Sequence, residues 1–188
     1  MTNKQYGGYL PLEIPFNRGE YYTSNEFFNV LSLNSGRSAF FYAAKSAKIK
    51  RIYLPVFNCI ETSSPFKQLG IEIKYYRLDD ALLPKEIDMK NNDFLLWTNY
   101  YGNASKKGIS KIVEKFPNLI IDNCHAFFSK PIKGLYNCYS TRKFFGVSDG
   151  AYLIKDELKI KNNIKIDTSY QNCQHLIKQI DLNTNSAY

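Results

Sequence analysis

Phe94-Leu95-Leu96-Trp97-Thr98, then a segment read as helical from Ile109 to Lys115, then Leu119-Ile120-Ile121, is the stretch that decides the architecture. Both apolar runs are too short for helices and carry no polar alternation, which is how strands covered on both faces read. A helix between two such strands makes the pair parallel, because a hairpin cannot join them. The same rhythm extends outward. Phe28 to Leu33 reads as extended and Arg37 to Lys48 as a helix rich in alanine and aromatics. Arg51 to Leu54 is a strand stopped by Pro55, which lacks the ladder donor. A helix over Ile60 to Leu69 closes at Gly70, and Ile71 to Tyr76 alternates as a strand. Tyr136 to Tyr139 and Ala151 to Ile154 complete the set. The expected class is α/β: three layers, a mostly parallel sheet flanked by helices, in one domain over residues 1–188.

Composition narrows the function classes. With 44% hydrophobic and 15% aromatic residues the chain is globular. No apolar run reaches the roughly 18 residues of a membrane span. Met1 to Gly8 has no apolar core of a secretory signal, so the cytoplasm is the expected compartment. Cys59, Cys124, Cys138 and Cys173 are scattered, with neither zinc spacing nor a disulfide framework, and read as small buried or partly buried thiols. The net charge of +8 invites a nucleic-acid reading. It comes largely from dispersed lysines, as in Lys159-Ile160-Lys161-Asn162-Asn163-Ile164-Lys165, with no recognition-helix, zinc-finger or RRM pattern. Neither nucleic acid nor a membrane is an expected partner, and an anionic small substrate is the remaining use for the charge.

In an open α/β sheet, ligands sit outside the carboxyl ends of the strands. Three segments follow predicted strands and are expected to meet there. Asn34-Ser35-Gly36-Arg37-Ser38 turns a strand into a helix, where unpaired N–H groups and the dipole favour an anion, and Gly36 lets the backbone approach closely. Ser35 or Ser38 serves equally well as an ordinary N-cap. Asp122 ends an apolar strand, so its carboxylate emerges at the sheet edge; capping of the next turn through Asn123 is the alternative. His125 follows, to orient a ligand ring or to act structurally. Lys143 stands in Ser140-Thr141-Arg142-Lys143-Phe144-Phe145-Gly146, ahead of Ser148-Asp149-Gly150. A nucleophilic lysine must be deprotonated, which apolar or cationic neighbours promote, here Phe144, Phe145 and Tyr139 or Arg142.

These segments, in this order, resemble the DegT/DnrJ/EryC1/StrS family of sugar aminotransferases, from about Tyr6-Gly7-Gly8 to the C-terminus. The resemblance implies the fold-type I aminotransferase architecture and pyridoxal 5'-phosphate as cofactor. It makes Lys143 the Schiff-base lysine and proton shuttle, and Asp122 the partner of the pyridine nitrogen. Ser35, Gly36, Arg37 and Ser140 become the phosphate cradle. His125 lies beside the ring or its hydroxyl. The family's stacking aromatic aligns from Pro55 onto Cys59, with Phe57 two residues earlier, and either can face the ring. The implied reaction moves an amino group from a donor, glutamate by analogy, to a keto-sugar on a nucleotide carrier, in amino-sugar or surface-polysaccharide synthesis.

Family members continue into a second, smaller domain, and their sites lie at a dimer interface. The resemblance therefore implies the cofactor-binding large domain alone, cut short, with a homodimer as partner. A non-catalytic remnant that binds only cofactor or a partner subunit is the rival expectation. Dehydration instead of amino transfer is a further possibility within the family, since one fold hosts several chemistries.

Overall fold

A computed structural model of the chain describes residues 19–158 and 164–187; the Met1–Gly8 stretch and Lys159–Asn163 of the basic run lie outside them. Seven strands form one sheet: β1 (Asn29–Leu33), β2 (Arg51–Pro55), β3 (Glu72–Tyr76), β4 (Phe94–Thr98), β5 (Leu119–Asp122), β6 (Tyr136–Ser140) and β7 (Ala151–Lys155). Their order across the sheet is β1-β7-β6-β5-β4-β2-β3. β2, β3, β4, β5 and β6 pair in parallel, whereas β7 runs antiparallel to both β6 and β1. Six strands thus point one way and present their carboxyl ends along a common edge.

The apolar runs are buried on both faces because successive side chains point in opposite directions. Leu96, Ile120, Cys138 and Leu153 pack with Ala39, Phe40, Ala43 and Ala44 of α1 (Gly36–Ala47), and with Phe66 of α2 (Ser64–Gln68). Leu95, Trp97, Leu119 and Ile121 face the other way, against Ile112 of α3 (Lys106–Lys115) and Phe116. Beyond β6, Tyr139, Tyr152 and Ile154 close around Phe127, with Tyr22 packed alongside. The expected three layers are present: helix, sheet, helix. Two short helices, α4 (Gln174–Ile177) and α5 (Thr184–Ala187), follow after the sheet.

Two local expectations are refined, and a third is met. The helix expected over Ile60 to Leu69 is a 3-10 turn, Ile60–Ser63, followed by α2. Pro65 explains the break: it has no N–H to bond the Glu61 carbonyl, which accepts from Ser64 instead. At the other end the Gly70 amide bonds Lys67 O at 3.0 Å and the Ile71 amide bonds Phe66 O at 3.0 Å, with Gly70 at φ +65°. That is a Schellman stop, placed where the glycine predicted it. α3 begins at Lys106, ahead of the expected Ile109, because the Ser105 hydroxyl caps the Gly108 amide at 3.0 Å.

Candidate functional site

Five chain segments arrive at the carboxyl edge of the sheet and enclose a cavity of about 480 Å³, a size suited to a small-molecule ligand. β1 hands over to α1 at Ser35, Gly36 and Arg37; β2 to Phe57, Asn58 and Cys59; β4 to Tyr100 and Tyr101; β5 to Asp122, Cys124 and His125; β6 to Ser140, Arg142 and Lys143. The candidates Ser35, Gly36, Arg37, Phe57, Cys59, Asp122, His125, Ser140 and Lys143 all line this one cavity.

Gly36 opens α1. A Cβ built there would stand 3.1 Å from Cys124 Sγ and 3.9 Å from Ser140 Cβ, so a hydrogen atom is what lets the helix start press against the ends of β5 and β6. Ser35 is the N-cap and accepts the Ser38 amide at 3.3 Å, while Ser38 Oγ donates to Asn34 Oδ1 at 2.6 Å. Among the described residues, the Gly36 and Arg37 amides have no hydrogen-bond acceptor; they are the pair that an N-terminus leaves for an anion. The Arg37 guanidinium is engaged with Glu61 at 3.0 Å on the rim, so its expected share in a cradle falls to its backbone.

Asp122 is 4% exposed. Its Oδ1 accepts the Cys124 amide at 2.9 Å and its Oδ2 accepts the Thr98 hydroxyl at 3.2 Å. The turn after β5 is therefore capped through Cys124, not through Asn123. His125 stacks on Tyr101, with ring centroids 5.6 Å apart and planes at 18°, and its Nδ1 is buried without a hydrogen-bond partner. Its pKa is lowered, first by burial and then by the Lys143 charge, with Asp122 opposing. Burial pushes the thiols of Cys124 and Cys138 well above the ordinary range, Asp122 adding to both. These are packing thiols; Cys59, by contrast, is exposed, which corrects the reading of all four as buried or partly buried.

Lys143 is exposed at the cavity mouth, and among the described residues it makes no ion pair or hydrogen bond. Its charge acts on both Cys124 and His125. The expected aromatic jacket is not there. Phe144 and Phe145 turn away to pack on Phe127 and Phe128, at centroid distances of 5.0 to 6.2 Å, and Tyr139 is wholly buried in the same cluster. Edge-to-face and tilted contacts with Phe127 and Phe128 set the direction of Phe144 and Phe145, and both stay more than a third exposed. The aromatic walls come instead from Phe57, one of the two residues expected beside the ring, and from Tyr100 and Tyr101, which were not foreseen. Phe57 stacks with Tyr100, centroids 5.6 Å apart at 27°, and the Tyr100 hydroxyl, its pKa pushed up to about 12 by burial, donates to Phe57 O. Tyr101 sits at φ +56°, a left-handed conformation that a bulky residue rarely adopts. Asn99-Tyr100-Tyr101-Gly102 directly after a buried strand was the available signal.

No family model matches the chain, and no curated protein matches it. Solved structures do. A sugar aminotransferase from Micromonospora echinospora aligns with a TM-score of 0.55 at 15% identity, covering 68% of this chain and 42% of that one. The GDP-4-keto-6-deoxy-D-mannose-3-dehydratase of E. coli, solved with bound hydrated PLP, gives 0.51 at 21% identity over 68% and 39%. NtdA from Bacillus subtilis, with bound PMP, gives 0.54 at 14% identity over 76% and 40%. The fold is thus the α/β fold of PLP-dependent aminotransferases. The chain spans about two fifths of the length of these three structures.

Proposed function

We propose that the chain is the cofactor-binding part of a pyridoxal-phosphate enzyme of the DegT/DnrJ/EryC1/StrS type, which moves an amino group from an amino-acid donor to a keto-sugar. The carrying observation is that Lys143, Asp122 and Gly36, separated by up to 107 residues in sequence, line one cavity at the carboxyl edge of this fold. The residues fit the cofactor group by group. The Gly36 and Arg37 amides, with Ser35 and Ser140 beside them, suit a phosphate. Asp122, held as an acceptor by Cys124 and Thr98, suits a protonated pyridine nitrogen. Lys143, free of ion pairs among the described residues, suits an aldehyde, and the buried, unpartnered Nδ1 of His125 is available to a polar ring substituent. Phe57 and Tyr101 offer aromatic surface to the ring; Cys59, the aligned stacking position, is exposed on the loop.

When bound, pyridoxal phosphate supplies an electron sink for a carbanion at the substrate carbon. This chain supplies the rest. Asp122 keeps the ring nitrogen charged. The α1 N-terminus anchors the phosphate end. The Lys143 amine, at the mouth of the same cavity, would carry the proton to and from the substrate carbon. A homodimer and a nucleotide-linked sugar acceptor belong to the same proposal.

The test is chemical. Protein mixed with pyridoxal phosphate develops a visible imine band, borohydride fixes the label, and peptide mapping places it on Lys143. Lys143→Ala abolishes labelling while leaving the urea midpoint unchanged, because the side chain has no partner to lose. Label spread over surface lysines, with Lys143 unmarked, refutes the assignment. Bleaching of the band by glutamate then separates an active enzyme from a chain that only holds cofactor.

A further inference from the structure

A polar chain runs beneath the cavity floor and ends on a wall that the proposed function leaves unexplained. Thr98 is 1% exposed and pairs in register with Asp122, so the two side chains lie next to each other on the same face of the sheet. Asn58 lies on the loop after β2, between Phe57 and Cys59, and its Nδ2 donates to Thr98 Oγ1 at 2.9 Å. Its Oδ1 accepts the Cys59 amide at 2.7 Å and the Thr62 hydroxyl at 3.1 Å, which fixes the amide orientation. Because Asn58 only donates to Thr98, the threonine hydrogen is left for Asp122 Oδ2. The direction is therefore set: loop amide to threonine hydroxyl to carboxylate.

We propose that Thr98 and Asn58 are positioning residues that latch the Phe57–Cys59 wall of the cavity to the Asp122 carboxylate. Among the described residues Thr98 is the single group that both accepts from the wall and donates to the carboxylate, so a hydroxyl at this position completes the link. A second strap runs to the Phe57 carbonyl from the Tyr100 hydroxyl, which also interacts with Thr98; among the described residues Tyr100 makes no hydrogen bond to Asn58 or Asp122. Loss of the hydroxyl releases the Asn58 side chain and, with it, the Cys59 amide and Thr62. It also strips one donor from the carboxylate. A ligand group that engages Asp122 and a ligand face that meets the wall are thus coupled through a residue that reaches neither directly. The consequence for cofactor rests on the proposed function; the latch does not.

Hydrogen exchange on the chain without cofactor reads the latch alone. Thr98→Val is expected to speed exchange in the Phe57–Thr62 segment about tenfold, with Thr98→Ser near wild type. The Val56 amide, bonded to Tyr76 O at 2.9 Å, is the internal control and stays protected. Asn58→Ala, which changes only the loop side, gives the same loosening should Thr98→Val fold poorly. Exchange in Thr98→Val and Asn58→Ala equal to wild type overturns the proposal. Affinity for pyridoxal phosphate is measured on the same proteins. A roughly tenfold loss in Thr98→Val that Thr98→Ser restores supports the coupling; equal affinity in all three refutes it. A wild-type chain that takes up no pyridoxal phosphate sinks the proposed function and leaves the exchange result to decide the latch.

Discussion

Gly150→Ala perturbs the loop that carries Lys143 without touching the cavity. Gly150 lies at φ +125°, and a Cβ there would stand 2.5 Å from Thr141 Oγ1, 3.4 Å from its Cγ2 and 3.5 Å from its Cβ. Two penalties follow. The backbone conformation costs an L-residue about 1–3 kcal/mol. Thr141 must also rotate away, and its hydroxyl then loses the carbonyls of Asp149 and Gly150, at 3.0 and 2.9 Å, worth about 1 kcal/mol. The expected destabilisation is about 2–4 kcal/mol. Gly150 N also bonds Asn34 O at 2.8 Å, and Gly150 O receives the Thr141 amide at 3.1 Å, so the disturbance reaches both the α1 start and the Ser140–Lys143 turn. Urea unfolding followed by circular dichroism measures it, together with Thr141→Ala and the double variant. In the double variant the clash disappears, but the backbone penalty stays and the hydroxyl bonds remain lost, so its destabilisation falls about 1 kcal/mol short of the sum of the two single variants. A Gly150→Ala variant within 0.5 kcal/mol of wild type, or strict additivity in the double, refutes the reasoning.

Phe127→Ala empties the centre of the aromatic cluster on which Phe144 and Phe145 rest; a loss of about 3–5 kcal/mol is expected, read from the same urea curves. Gly36→Ala adds a methyl 3.1 Å from Cys124 Sγ. Its stability should change by less than about 1 kcal/mol, since alanine is the better helix former, whereas affinity for pyridoxal phosphate should fall about tenfold or more as the anion is pushed off the amides. Unchanged affinity by titration argues against phosphate at this helix. His125, its folded pKa held below the ordinary 6.5 first by burial, contributes stability that is present above pH 6.5 and lost as pH falls toward the folded value. Urea midpoints should therefore decline from pH 7.5 to 5.5 more steeply in wild type than in His125→Gln; parallel declines contradict the burial argument.

The strand set was legible because it is local. Phe94–Thr98 and Leu119–Ile121 are unbroken apolar runs, and Gly70, Pro55 and Ser35 punctuate the chain by properties of their own backbones. Asp122 was found by being the first charge after such a run. Loop side chains resisted the same reading. Phe144 and Phe145 flank Lys143 in sequence, yet their direction is set by Phe127 and Phe128, residues on a different connection. Arg37 reads as an anion ligand until the structure places Glu61 beside it. Tyr100 and Tyr101 gave no periodic signal, since one buries its ring on Phe57 and the other takes a left-handed turn.

The sequence alone determined the layered α/β class, the approximate limits of most elements and nine of the residues that line the cavity at the strand ends. Strand direction and side-chain alternation follow from short-range chemistry, and they send consecutive loops to one edge. Tertiary structure decided which aromatics form the walls, which carbonyls and carboxylates occupy each donor, and the Asn58–Thr98–Asp122 link. Those depend on contacts between segments 24 to 43 residues apart, and no property of either segment in isolation specifies its partner across the fold.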